Sequence, residues 1–135
     1  MIAIDSSALV AIAFREPDYP RLSARLFAES GSVISAANYV ECGQVLALRQ
    51  ARALPRAIEE FDELLAWLDV EIAPIDETQA RAALEARIKY GRGFGHPARL
   101  NYSDCFAYAL AKTRNLPLLF VGDDFTHTDI VSALP

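Results

Sequence analysis

Short apolar runs that alternate with stretches of helical length predict an α/β domain, a mostly parallel central sheet flanked by helices on both faces. Three observations carry this. Runs rich in Ile, Val and Leu recur at positions 2–4, 32–35, 70–73 and 117–121. The segments between them have the spacing and capping residues of helices. Of the 135 residues, 53% are apolar, enough to bury a sheet on both sides and to exclude a disordered chain. The length fits one domain over residues 1–135, with no room for two independent cores.

Ile2-Ala3-Ile4 is apolar and largely β-branched, the signature of a buried strand. Asp5-Ser6-Ser7 then offers helix caps ahead of an apolar helix that reaches Phe14. Pro17 and Pro20 punctuate, and a second helix runs from about Tyr19 to Glu29, stopping at Gly31. Ser32-Val33-Ile34-Ser35 is a second strand, leading into a helix from about Ala36 to Arg52. Pro55 suits the first turn of a helix over Arg56 to Leu68. Val70-Glu71-Ile72-Ala73 alternates as a third strand, and Asp76 starts a helix that lasts to about Tyr90. Three glycines and a proline between Gly91 and Pro97 predict a mobile loop. A helix from about Tyr102 to Arg114 follows, then a buried strand from Pro117 to Val121, and a short last strand between Asp129 and Ala133.

The formal net charge is −5, from 13 basic and 18 acidic residues, which excludes a protein that holds nucleic acid by bulk positive potential. It does not exclude a metal-dependent nuclease, because two divalent ions would bring the loaded form near neutrality. Cys42 and Cys105 lie far apart in apolar helical stretches, so reduced, buried thiols are expected and a disulfide framework is not. The N-terminus carries no basic leader, and no apolar run approaches the roughly 20 residues a membrane helix needs. The expectation is a cytoplasmic protein.

In parallel sheets, ligands bind beyond the carboxyl ends of the strands. Asp5 falls there after the first strand, Asp123 and Asp124 after the late one, and Asp104 in the first turn of the helix before it. Glu41, at about 100° per residue, points between Val45 and Leu48 on the side that carries Ala37. On a core-facing stripe a carboxylate is costly unless paired, protonated or metal-bound. The nearest cation, Arg49, falls on another face. Each acid has a structural alternative: Asp5 as a helix cap, Asp104 as the inner half of a capping box with Asn101, Asp123-Asp124 as a turn, and Glu41 extended to solvent or paired with a distant arginine. Taken together, isolated acids from separate elements meeting at one end of a sheet suit hard Mg²⁺ or Mn²⁺. Such ions activate water for in-line attack on a phosphodiester.

The same segments resemble the PIN-domain nucleases, in particular the VapC-type toxins of bacterial toxin–antitoxin pairs, over essentially the whole chain. The opening residues through Asp5-Ser6-Ser7-Ala8-Leu9 are similar to that family's first strand and first acid. Ile34 to Glu41 matches the segment of the second acid, and Leu100 to Ala111, with Asp104, that of the third. Leu118 to Ile130 is similar to the closing motif, whose acid before a Phe aligns with Asp124, while Asp123 is adjacent and could substitute. The resemblance implies an Mg²⁺- or Mn²⁺-dependent endoribonuclease with Asp5, Glu41, Asp104 and Asp124 as catalytic, metal-holding acids. It further implies products with a 3′ hydroxyl and a 5′ phosphate, a homodimer, and inhibition by a VapB-type antitoxin whose tail occupies the site. Asp129 is a candidate supporting residue. Ser6 either bonds a ligand or water or caps its helix. The alternative function is a catalytically inactive PIN-like module that binds protein or RNA.

Other constellations are weaker. Cys42, Cys105, His96 and His127 lack the spacing of a zinc set or of a thiol–imidazole pair. A phosphoacceptor domain would want its acid pair on the first strand and a lysine after the late one, whereas here the pair is late and Lys112 lies in a helix. Arg87, Lys89, Arg92 and Arg99 bracket the glycine-rich loop with Tyr90 and Phe94 among them, a pattern that suits RNA as well as a solvated helix end. Arg92, His96 and Arg99 are the candidate RNA contacts. Leu9, Ile12, Phe14 and Leu26 are either an antitoxin- or dimer-facing surface or plain core.

Overall fold

The computed structural model describes all residues except 51 and 52. Four strands, β1 (Ile2–Ile4), β2 (Ser32–Ser35), β3 (Val70–Ala73) and β4 (Leu118–Leu119), form one sheet in the order β3-β2-β1-β4. Every pairing is parallel, with Ile4 opposite both Ile34 and Leu119. Between them lie α1 (Ser6–Ala13), α2 (Tyr19–Phe27), α3 (Ala36–Gln50), α4 (Leu54–Trp67), α5 (Glu77–Tyr90) and α6 (Asp104–Arg114). Among the described residues no helix is long and apolar enough to cross a membrane.

The pleat divides the core in two, as a sheet covered on both faces requires. Ile2, Ile4, Ile34 and Leu119 point to one side, where Leu9, Ile12, Leu22, Leu46 and Phe61 of α1–α4 cover them. Ala3, Val33 and Leu118 point to the other, beneath Ala83 and Tyr90 of α5 and Ala107 and Leu110 of α6. Leu9, Ile12 and Leu26 are therefore core, not a partner-facing surface, because α1 is packed by α2 and α3 on the sides that β1 leaves open. Phe14 is half-buried, under the Arg49 guanidinium at 4.8 Å.

Boundaries move where side chains compete for the backbone. Helix α6 spans Asp104–Arg114 rather than beginning at Tyr102, and the expected capping box leads into it: Asn101 and Asp104 bond each other's main-chain N–H, each at 2.9 Å. Asp76 caps α5 as expected, accepting from Gln79 N at 2.8 Å, and Pro55 lies in the first turn of α4. The expected end of α3 at Arg52 lies outside the described residues. Strand β4 is two residues long, and the expected last strand reduces to a single bridge, in which Leu118 N–H donates to Val131 O at 2.9 Å and Ala133 N–H to Leu118 O at 2.8 Å. The glycine-rich loop is tied at its neck: Leu100 N–H donates to Tyr90 O at 2.8 Å and Arg92 N–H to Leu100 O at 2.9 Å.

The strand order has a consequence for function. From β1 the chain moves outward to β2 and β3, then crosses back to place β4 on β1's other edge. The order reverses between β1 and β4, which leaves a crevice at their carboxyl ends, the standard location of a ligand site in an open parallel sheet.

Candidate active site

That crevice is a cleft of about 250 Å³ whose lining includes Asp5, Ser6, Glu41, Arg49, Asp104 and Asp124. A second cavity of about 270 Å³, bounded by Ile12, Leu46, Phe61 and Trp67, lies between α1, α3 and α4 and gathers no such set of acids.

Asp5 caps α1 and also lines the cleft. One carboxylate oxygen, Oδ2, caps α1, accepting from Ser7 N at 3.0 Å and Ser7 Oγ at 2.6 Å. The other, Oδ1, is buried with no hydrogen-bond partner among the described residues. Burial raises the Asp5 carboxyl above its ordinary range against those hydrogen bonds, and the charge of Glu41 adds to the rise. Ser7 Oγ in turn accepts from Val121 N at 3.1 Å, fixing the end of the late strand against the start of α1.

Asp104 is likewise both a capping residue and a cleft acid. It is 7% exposed and its carboxyl is pushed up to about 7, first by burial, then by the charge of Asp5, with Asp124 and Glu41 contributing. Asp124 is exposed at the cleft wall. Asp123 is not among the residues that line the cleft and sits in a turn, where its carbonyl accepts from Thr126 N at 3.0 Å and Thr126 Oγ1 at 2.6 Å. Placement thus favours Asp124 as the fourth acid.

Glu41 lies in the cleft, but not on the core stripe expected of it. The buried stripe of α3 is Asn38, Cys42 and Leu46, whereas Ala37 and Val45 are half-buried and Leu48 is 74% exposed. Helical spacing of four puts Glu41, Val45 and Arg49 along the cleft side, so Arg49 shares the cleft rather than another face. The Arg49 guanidinium also stands 3.5 Å from Glu16. Two hydroxyls hold Glu41: Ser6 Oγ donates to Oε2, and Ser103 Oγ donates to Oε1 at 2.6 Å. Ser6 is therefore a partner of Glu41 rather than a helix cap.

Asp129 lies apart from the cleft lining. It accepts from Tyr108 Oη at 2.7 Å and Tyr90 Oη at 3.3 Å, and pairs with Lys112 Nζ at 2.9 Å. These bonds to Lys112 and Tyr108 hold its carboxyl down at about 2 and tie the segment after Asp124 to α5 and α6. Any support it gives the cleft passes through that tether.

Arg92 and Arg99 are exposed, and His96 is half-buried, its Nδ1 accepting from Ala98 N at 3.1 Å and its ring edge-on to Tyr90 at 4.8 Å. His96 and Arg99 line a separate open concavity of about 480 Å³ with Gly93, Gly95 and Pro97. Cys42 and Cys105 are buried, their thiols pushed up by burial to about 12 and about 11, which leaves neither a nucleophile nor a ready zinc ligand.

The donor set suits a divalent cation. Acids crowded into one low-dielectric cleft repel one another unless a cation or protons intervene. The unpartnered Asp5 Oδ1 and the raised Asp104 carboxyl are the two marks of that crowding. Among the described residues no group of three or more His, Cys, Asp or Glu side chains is arranged to hold a metal ion. Mg²⁺ is a cation that keeps several waters and takes only a few carboxylates.

Asn38, Ser103 and Arg49 share this site without having been singled out from the sequence. Ser103 and Arg49 reach it through the fold alone. Asn38 had a signal: it is the polar member of the stripe at positions 38, 42 and 46.

The PIN domain family model matches residues 2–131. Ribonuclease VapC42 of Mycobacterium tuberculosis is 46% identical over 127 residues, covering 94% of this chain and 95% of that protein. Ribonuclease VapC28 of the same organism is 42% identical over 131 residues, covering 97% and 96%. Among solved structures, M. tuberculosis VapC20, a sarcin–ricin loop cleaving toxin, superposes with a TM-score of 0.76 at 17% identity over the full length of both chains. A toxin–antitoxin complex from Klebsiella pneumoniae gives 0.69 at 19% identity, covering 98% of each chain.

Proposed function

The chain belongs to the PIN-domain family and, within it, to the VapC ribonucleases, and from this premise we propose that it is a toxin endoribonuclease whose cleft works with Mg²⁺ or Mn²⁺. One observation carries the reading: Asp5, Glu41, Asp104 and Asp124, drawn from four separate elements, line a single cleft at the point where the strand order reverses.

Asp5 through Oδ1, Glu41, Asp104 and Asp124 would hold the cation. When bound, such an ion lowers the pKa of water and stabilises the charge that develops on phosphate and leaving oxygen. The chain's own residues do the rest. Ser6 and Ser103 fix the Glu41 carboxylate by one proton on each oxygen, leaving its remaining lone pairs for the cleft. Burial of Asp5 and Asp104 keeps bulk water from screening their negative charge. Arg49, a cation on the cleft side of α3, would bind a backbone phosphate of the substrate. Arg92, His96 and Arg99, with Phe94 exposed beside them, form a second contact for single-stranded RNA by charge and stacking. Products would carry a 3′ hydroxyl and a 5′ phosphate. The partners in this reading are RNA, a second copy of the chain and a VapB-type antitoxin that covers the cleft, all in the cytoplasm.

Glu41→Gln tests the metal assignment, because glutamine preserves shape and removes the charge. Mn²⁺ affinity measured by calorimetry is expected to fall at least tenfold. Unchanged affinity would remove Glu41 from the metal site.

A further inference from the structure

The Glu41 carboxylate is held by a chain of hydrogen bonds that begins at a main-chain carbonyl. Asn38 is fully buried in the core stripe of α3. Its Nδ2 stands 3.1 Å from the carbonyl oxygen of Ser103 and 3.2 Å from Ser6 Oγ. A carbonyl only accepts, so the end of the amide that faces Ser103 must be the nitrogen, and the orientation of the whole side chain follows. Its second N–H then points at Ser6 Oγ. A serine hydroxyl has one proton, and with Asn38 donating to its oxygen that proton is directed to Glu41 Oε2. Ser103 meets Oε1 from the other side at 2.6 Å. Its alternative acceptor, Asn101 Oδ1 at 2.9 Å, is neutral and already takes the Asp104 N–H. The charged acceptor makes the stronger bond.

From this geometry we infer that Asn38 is a positioning residue for Glu41, acting through Ser6, which it converts into an obligate donor to the carboxylate. Packing does not explain an asparagine here. Its Oδ1 is buried without a hydrogen-bond partner among the described residues, a cost that leucine, of similar size, would avoid. What asparagine supplies and leucine cannot is two N–H donors fixed in direction, one on the start of α6 and one on the start of α1. Without them the Ser6 hydroxyl is free to rotate, and Glu41 loses the proton that sets the angle of its carboxylate.

The inference rests on the reading of Glu41 as a metal-holding acid, and one experiment separates the two. Mn²⁺ affinity by calorimetry and melting temperature without metal would be measured for the parent chain and for Glu41→Gln, Asn38→Leu, Asn38→Asp, Ser6→Ala and Asn38→Leu combined with Ser6→Ala. Asn38→Asp has the same shape but makes the chain run backwards, because a carboxylate at that position takes the Ser6 proton for itself. Asn38→Leu, Asn38→Asp and Ser6→Ala are each expected to weaken Mn²⁺ binding about tenfold or more, the loss typical of removing a hydrogen-bond partner of a metal ligand. In the Ser6→Ala background, Asn38→Leu is expected to weaken it no further. If Asn38→Leu shifts only the melting temperature and leaves Mn²⁺ affinity within twofold, Asn38 merely joins three helices and the inference is overturned. Should the Asn38 variants fail to fold, Ser6→Ala decides, since parent-like affinity there breaks the chain at its middle link. Loss of binding in Glu41→Gln with none in the others overturns this inference alone. No loss in Glu41→Gln overturns the metal reading on which it stands.

Discussion

Replacing Asp104 by asparagine is expected to abolish RNA cleavage and, in the same molecule, to stabilise the metal-free fold. The first effect follows from losing a ligand charge. Removing a mere hydrogen-bond partner of a ligand costs up to about a hundredfold, so the loss in cleavage here is expected to exceed a hundredfold. The second follows from burial. The Asp104 carboxyl, ordinarily near 3.8, is pushed up to about 7 by burial and by Asp5, Asp124 and Glu41. Between those two values the folded chain holds a proton that the unfolded chain has released, so the stability of the metal-free protein falls as pH rises from about 4 to about 7. Above that window the full penalty applies, on the order of a few kcal/mol. Asparagine keeps an oxygen to accept the Asn101 N–H and carries no charge. At pH 8 in chelator, Asp104→Asn is expected to melt roughly 5–10 °C above the parent chain. Metal should raise the melting temperature of the parent and not of the variant. A variant that melts below the parent in chelator would show that Asp104 is held for structure.

The same carboxylate makes metal affinity depend on pH in the neutral range. Below about 7 the cation must displace a proton from Asp104, and burial acts on Asp5 in the same direction. Mn²⁺ affinity is therefore expected to rise by about tenfold per pH unit up to neutrality and to level off above it. Calorimetry in two buffers of different ionisation enthalpy should detect about one proton released per ion at pH 6 and fewer at pH 8. Binding that is flat from pH 5.5 to 8 with no proton release would mean that the buried acids take no part.

How far the sequence reveals this molecule depends on which features are local. Strands β1, β2 and β3 and the helix starts at Asp5 and Asp76 were legible, because β-branched runs and capping side chains act within a few residues. The approach of Asp5 to Asp124 was legible for a related reason: residues just past the ends of neighbouring parallel strands lie close together. Strand β4 proved shorter than expected, because Val121 turns from the ladder to the Ser7 hydroxyl. On α3 the structure departs from the expected face. Glu41 follows a cleft stripe with Val45 and Arg49, and only the packing of α3 against α1 and α6 distinguishes that stripe from the core one. Asp129, the candidate supporting residue, turns to Tyr108 and Lys112, contacts that nothing local in the sequence indicates. The links from Ser103 and Ser6 to Glu41 join residues 62 and 35 positions apart, beyond the reach of any local rule.

The most direct test of the cleft as a metal-dependent ribonuclease site is cleavage of a structured RNA mixture, such as total tRNA, by the purified chain free of antitoxin. It would be run with Mn²⁺, with Mg²⁺ and with EDTA, beside Asp104→Asn. Discrete fragments that need the metal and vanish in the variant are the expected result. Cleavage that persists in EDTA, or equal cleavage by the Asp104 variant, would contradict it and place the activity elsewhere than in these four acids.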